Sequence, residues 1–241
     1  GGYMTLMLLD SASLWYRAYY GMPDTLLAPD GTSVNAIRGY VDMTARLMNV
    51  YKPDRLVACL DGDWRPSWRV DIFPAYKANR LEEEGEEEEE PETLTPQIPI
   101  LLDLLDLFGI PVVGVDDYEA DDVIGTLSAV GSSQGIEVVV SSGDKDLAQL
   151  VNEHITIIDT MNGKRRDLVG VQEEFGVPAS LMLDYQILVG DTVDNVPGVQ
   201  KVGPKTAVKL LLEYGSLDNL MANADQVKGV VGENLRKAVD W

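Results

Sequence analysis

Residues 110–127 read IPVVGVDDYEADDVIGTL. An apolar run from Pro111 to Val115, suited to a buried strand, gives way to five acidic residues. An apolar stripe at helical spacing follows, Val123, Ile124, Leu127 and then Val130. Strand, acidic turn and helix form the repeating unit of an α/β sheet, and open parallel sheets place their sites beyond the carboxyl ends of the strands.

The same order recurs along the chain. TLMLLD ends on Asp10 and LVACLD on Asp61. IEVVVSS runs into GDKD, which carries Asp144 and Asp146, and GDTVD carries Asp191 and Asp194. With Glu119, Asp121 and Asp122 these make nine carboxylates in five clusters, four of which follow strand-like runs. Two unit charges 4 Å apart repel by roughly 1–4 kcal/mol between water-like and surface-like dielectric. A convergence of this kind is tolerable only with cations. Oxygen-only ligands suit Mg²⁺ or Mn²⁺ rather than zinc, and a surplus of ligands points to two or more ions, the clamp used on phosphodiesters. Helix capping competes with this reading. Asp121 and Asp122 fall in the first turn of a helix, and Asp144 and Asp146 precede LAQL, where acidic side chains are favoured by the macrodipole. Capping suffices for one cluster but does not explain five.

Strand-like runs are 5–10, 55–60, 111–115, 136–141 and 154–159, with helical spacing over 33–50, 97–108 and 119–130. The pattern predicts a mostly parallel central sheet flanked by helices. Residues 64–95 break the rhythm: WRPSWRVDIFPAYKANR is basic and aromatic, and LEEEGEEEEEPET is acidic and nearly featureless. An insertion of this length predicts an exposed arch with a mobile acidic half. From about residue 167 the pattern turns wholly helical, near 168–175, 178–188, 204–214, 216–222 and 230–239. The expected division is a 1–166 α/β core with the arch at about 64–95, and a 167–241 helical region packed with it as one unit.

With 241 residues and 45% hydrophobic content the chain can fill a real core. No apolar run reaches membrane-span length, and GGYMTLMLLD lacks the marks of a signal peptide. Cys59 is the only cysteine, which excludes an intrachain disulfide and a cysteine zinc site and suits a reducing cytoplasm. His154 is the only histidine and reads as structural.

The net charge of −21 alone argues against a nucleic-acid partner. Its distribution points the other way. Residues 82–92 hold nine glutamates and the candidate ligands are nine more carboxylates; the remainder is close to balanced, with its bases grouped. In GVQKVGPKTAVKLL, residues 198–211, Lys201, Lys205 and Lys209 stand in a stretch free of acids, in a chain of 40 acids and 19 bases. Gly198 and Gly203 permit a tight hairpin, Pro204 suits the first helical position, and the free amides of that helix start can face a phosphate. A second group comprises Arg65, Arg69, Tyr76, Lys77 and Arg80. If 69–80 is helical, Lys77 and Arg80 share a face and can straddle a phosphate, and Tyr76 can stack on an unpaired base, worth roughly 1–3 kcal/mol. A solvated amphipathic helix is the plainer alternative, and for Trp64 and Trp68 packing of the arch is favoured over stacking.

Residues 198–211 resemble helix-hairpin-helix DNA-binding elements. DSASLWYRAYY, DGTSVNAIRGY, AYKANR, IPVVGVDDYEADDVIGTL, SSGDKDLAQLV and GDTVDNVPGVQKVGPKTAVKLLLEYGSL, in this order, resemble the 5′-nuclease domain of bacterial DNA polymerase I and its flap-endonuclease relatives, from Asp10 to about Leu217. The resemblance implies a PIN-like, FEN-like α/β fold with a helical element that grips duplex DNA. It implies one metal shared by Asp10, Asp61, Glu119 and Asp121, with Asp122 and Asp144 close by, and another held by Asp144, Asp146, Asp191 and Asp194. DNA contacts are implied for Arg17, Tyr76, Gly198, Val199, Lys201, Val202, Gly203, Lys205, Thr206 and Lys209, with K⁺ held by main-chain carbonyls of the hairpin and with Lys77 and Arg80 offsetting charge on the phosphate. The implied activity is structure-specific 5′ to 3′ exonuclease and 5′-flap endonuclease cleavage, giving 5′-phosphate and 3′-hydroxyl ends. The implied substrates are flaps, nicks, gaps and 5′ ends, RNA–DNA hybrids included. The expected setting is a monomer in the bacterial cytoplasm, nucleoid-associated, away from membranes and working beside DNA polymerase and ligase. The glutamate run departs from the family's mixed-charge arch and puts long-flap threading in doubt. The chain stops at Trp241 without a polymerase domain, so a stand-alone nuclease is expected. A catalytically silent junction binder and a PIN-like ribonuclease are the alternatives. Retention of all nine carboxylates argues against the first, and the lysine hairpin against the second.

Overall fold

The computed structural model describes residues 4–62, 92–160, 162–191 and 196–239. In chain order its elements are β1 (Thr5–Asp10), α1 (Ser11–Gly21), α2 (Asn35–Tyr51), β2 (Arg55–Cys59), α3 (Gln97–Leu107), β3 (Val112–Val113), α4 (Ala120–Ser133), β4 (Glu137–Ser141), β5 (Ile155–Ile158) and β6 (Arg165–Arg166). Then follow α5 (Leu168–Phe175), α6 (Met182–Val189), β7 (Gly190–Asp191), β8 (Val196–Pro197), α7 (Pro204–Tyr214), α8 (Leu217–Ala222) and α9 (Gly229–Lys237).

The strands of the main sheet run β3-β2-β1-β4-β5-β6. All neighbours are parallel except β5 and β6, where Ile157 opposes Arg166 in an antiparallel pair. A parallel sheet is buried on both faces, and β1 shows how. Leu8 enters one apolar cluster, with Ile124, Val140 and Ile157, while Met7 and Leu9 enter the other, with Leu14, Tyr40 and Leu101. The first cluster continues into the C-terminal helices through Val177, Leu188, Val199, Ala207 and Leu235. Gly176 closes α5 at φ 82°, a left-handed cap that glycine adopts without steric cost.

One helix and two short ladders depart from the sequence pattern. Helix α1 was not anticipated, although its buried residues Ser11, Leu14, Trp15 and Ala18 keep helical spacing. A serine in one buried place and an uncapped start obscure it. The short ladders β5–β6 and β7–β8 add antiparallel pairing, the second of them inside the stretch read as wholly helical; two-residue strands are too short to show a period of two.

Arg166 is 1% exposed. Its Nε donates to Glu174 Oε2 at 2.6 Å and its Nη2 to Glu174 Oε1 at 3.1 Å, while its Nη1 lies 2.9 Å from Asp159 Oδ2. The guanidinium thus ties the end of the sheet to α5. The lone histidine is structural here: His154 Nδ1 lies 3.0 Å from Glu137 Oε1, joining the start of β5 to that of β4.

Candidate active site

The parallel register brings the carboxyl ends of three strands level. Asp10, the last residue of β1, pairs with Cys59 of β2, two residues before Asp61. Leu9 pairs with Ser141, which ends β4 three residues before Asp144. Asp10 is only 7% exposed. Ser142 donates to Asp10 Oδ2 at 2.8 Å, and its Oγ accepts the amide of Asp144 at 3.1 Å. Asp61 Oδ1 accepts the amide of Ala120 at 2.6 Å, which draws the start of α4 to the end of β2. That start carries Glu119, 4% exposed, and Asp121.

Burial pushes Asp10 up to about 7, the charges of Asp61 and Asp144 add to the rise, and the Ser142 hydroxyl opposes it. Asp121 is held well above the usual carboxylate range, first by burial, then by a hydrogen bond shared with Asp144 and by the charges of Asp144, Asp10 and Glu119. Asp10, Asp61, Glu119, Asp121 and Asp144 therefore meet at one end of the sheet. Asp146 adjoins them: its amide donates to Asp144 Oδ1 at 2.9 Å, and its own Oδ1 accepts from Gln186 Nε2 at 3.1 Å.

Capping accounts for part of the pattern. Asp122 Oδ2 accepts the amide of Glu119 at 3.0 Å, one half of a reciprocal capping box at the start of α4. Asp144 likewise caps the 3-10 turn Lys145–Leu150. Asp191 lies on β7, paired with the backbone of Val196. Asp194, Tyr76, Lys77 and Arg80, with Arg65, Arg69, Trp64, Trp68 and the glutamate run, fall outside the described residues. Two neutral side chains in contact with the cluster, Ser142 and Gln186, escaped sequence reading. The only signal for either was its place beside a marked motif.

The donors suit a hard divalent cation: they are all carboxylate oxygens, and Asp10 and Asp121 are buried and repelled by their neighbours. Among the described residues no three of these side chains form a ready ligand set.

An open groove of about 540 Å³, lined by none of these carboxylates, runs between α1, α2 and the ends of β4 and β5. Arg17 lines it with Arg46, Asp42 and Thr160.

The second constellation is the turn before α7. Val199 N–H donates to Leu188 O at 2.8 Å, and Val202 N–H to Val199 O at 3.0 Å. Val199 and Val202 are buried, whereas Lys201, Lys205 and Lys209 are exposed. Lys201 takes φ 70°, a left-handed corner that closes the turn. Gly198 is required by close approach, because a Cβ there would lie 2.4 Å from the carbonyl of Val189. Gly203 precedes Pro204, the first residue of α7, and Thr206 follows in its first turn.

Residues 5–176 match the family described as 5′-3′ exonuclease, N-terminal resolvase-like domain, and residues 177–241 match 5′-3′ exonuclease, C-terminal SAM fold. A 5′-3′ exonuclease of Streptomyces coelicolor is 44% identical over 241 residues, covering 96% of this chain and 79% of the relative. One from Mycobacterium tuberculosis is 42% identical, covering 96% and 77%. The DNA polymerase I of Pseudomonas aeruginosa is 41% identical over 92% of this chain, which spans 23% of that polymerase. In fold, the chain is similar to the T5 5′-exonuclease solved with zinc, with TM-score 0.79 at 22% identity, covering 98% of this chain and 85% of that one. A T5 flap endonuclease solved with DNA and metal ions gives TM-score 0.78 at 21% identity, covering 98% and 85%. A mostly parallel sheet edged with carboxylates and followed by a helical lysine hairpin, matched end to end by two adjoining family segments, places this chain in the 5′-3′ exonuclease family.

Proposed function

We propose that the chain is a divalent-cation-dependent nuclease that cuts DNA at 5′ ends and 5′ flaps, leaving 5′-phosphate and 3′-hydroxyl ends. One observation carries the reading: Asp10 and Asp121 are buried beside Asp61, Glu119 and Asp144 at one sheet edge, and burial together with those neighbouring charges holds both well above the ordinary carboxylate range. The family relatives named 5′-3′ exonuclease support it.

Asp10, Asp61, Glu119 and Asp121 would hold one ion, with Asp122 and Asp144 beside it; Asp144, Asp146, Asp191 and Asp194 would hold the second, with Mg²⁺ or Mn²⁺ as the physiological ion. Bound there, the ions supply counter-charge to the scissile phosphate and a more acidic water. The chain's own residues do the rest. Ser142 and Gln186 orient Asp10 and Asp146. Exposed Lys201, Lys205 and Lys209 hold the duplex by its backbone, with the amides at the start of α7 facing a phosphate and the hairpin carbonyls available to K⁺. Arg17 meets the 5′ strand from its groove. Lys77 and Arg80 offset charge on the phosphate and Tyr76 stacks on the unpaired base. The 1–166 core supplies the cluster and the 167–241 region supplies the grip. The protein works as a cytoplasmic monomer alongside polymerase and ligase, with RNA-containing 5′ strands among its substrates. Among the described residues no helix is long and apolar enough to cross a membrane.

A labelled 5′-flap duplex, incubated with and without Mn²⁺, tests the reading. Cation-dependent release of short 5′ products is expected. Tight binding with no product under any divalent ion would replace it with a silent junction binder.

A further inference from the structure

Helix α6 touches both constellations. Near its middle, Gln186 Nε2 donates to Asp146 Oδ1 at 3.1 Å, a contact that spans 40 residues of sequence. Two residues later the Leu188 carbonyl accepts the amide of Val199, at 2.8 Å. Gly198 lies so close to the same helix end that a Cβ would stand 2.5 Å from the Leu188 oxygen and 2.4 Å from that of Val189. At the other end, Asp184 Oδ2 accepts the amide of Leu217 at 3.0 Å, which anchors the helix to α8. The helix is eight residues long. Two residues of α-helix rise only about 3 Å, so a displacement of the hairpin is felt at Gln186 with little slack.

Gln186 is chemically suited to this place. Its amide engages one oxygen of Asp146 without bringing charge into an acidic cluster. Outer partners of this kind hold a ligand in one rotamer, and their loss costs roughly 10–100-fold in metal affinity.

We propose that Gln186 is a positioning residue that fixes Asp146 and couples it to the helix seating the hairpin, so that cation binding at the cluster and duplex binding at the hairpin reinforce each other. This rests on reading the cluster as a cation site and the hairpin as a duplex grip. Coupling of two binding equilibria is reciprocal: whatever factor duplex adds to cation affinity, cation adds to duplex affinity. Gln186 is half-buried, so its replacement leaves the core intact.

The test is Mn²⁺ binding to the full chain, followed by the electron paramagnetic resonance signal of free Mn²⁺. It is made without DNA and with a nicked duplex whose 5′-terminal linkages are uncharged methylphosphonates. In Gln186→Leu, Mn²⁺ affinity without DNA should fall roughly 10–100-fold while the melting temperature stays at the wild-type value. Gln186→Glu, which sets a like charge against Asp146, should bind Mn²⁺ no better than the leucine variant. Duplex should tighten Mn²⁺ binding in wild type and do so less in both variants. Equal Mn²⁺ affinity in wild type and Gln186→Leu, or an equal gain from duplex in both, overturns the proposal while the cation site stands. Failure of wild type to bind Mn²⁺ overturns both.

Discussion

Ser142 bridges the ends of two strands: its hydroxyl donates to Asp10 Oδ2 at 2.8 Å, across 132 residues of sequence, while accepting the amide of Asp144. The bond offsets part of the cost of a buried carboxylate that is pushed up to about 7. Asp10→Asn keeps an acceptor for Ser142 and removes the charge. The cation-free variant at pH 8 should gain about 1–3 kcal/mol in urea unfolding while losing cleavage. Ser142→Ala should lose about 1–3 kcal/mol under the same conditions, because a buried acceptor is left without its donor.

Asp144 stands where the carboxylates are densest, with Asp121 sharing a hydrogen bond and Asp10 feeling its charge. Asp144→Ala should lower single-turnover flap cleavage more than about a hundredfold, beyond the range for an outer partner. Circular dichroism should stay native. Retention of wild-type cleavage would remove Asp144 from the cation site.

Lys205 projects from the first turn of α7 into solvent. Lys205→Ala should weaken duplex binding alike for all sequences and flatten the log-affinity against log-salt slope by about one unit. Gly198→Ala acts differently. The added methyl meets the Leu188 and Val189 carbonyls within 2.5 Å, so the turn must leave its seat on α6. Its duplex affinity should fall with no flattening of the salt slope beyond that of Lys205→Ala.

Arg166 is enclosed between Glu174 and Asp159. Arg166→Leu removes the guanidinium from between both carboxylates, leaving Glu174 the longer 3.9 Å contact with Lys164, and should cost about 3–5 kcal/mol. The pH dependence has a definite sign. The Arg166 hydrogen bonds hold Glu174 below its ordinary 4.5, and burial opposes the shift. The stabilisation is therefore fully present above pH 4.5 and is lost as pH falls through the lower folded value. Glu174→Gln should show a shallower loss of stability than wild type over that acid window in urea titrations.

Long periodic stretches were legible in the sequence. The strand ending on Asp10 and the helix carrying Val123, Ile124 and Leu127 followed from spacing alone, and so did the alignment of acidic turns at one sheet edge. Helix α1 was obscured because Ser11, a polar residue, fills a buried place and donates or accepts opposite Tyr40 at 3.0 Å. The pair Arg165–Arg166 is too short to carry a strand period, and its pairing depends on β5 arriving beside it. For Asp122, composition offered capping and chemistry together, and only the bond to the Glu119 amide shows the capping half. Ser142 and Gln186 were invisible for a different reason. Neither carries charge, and each matters only through the partner that folding sets opposite.

The apolar interior that begins under β4 and β5 runs on without a break past Leu188 and Val199 to Leu235. Hairpin and carboxylate edge therefore stand on one continuous apolar body. On the proposed function, such a body measures: the bond it severs is counted from the point of hold, whatever bases lie between, and a change of one methyl group in the shared interior would shift the count before it dulled the edge.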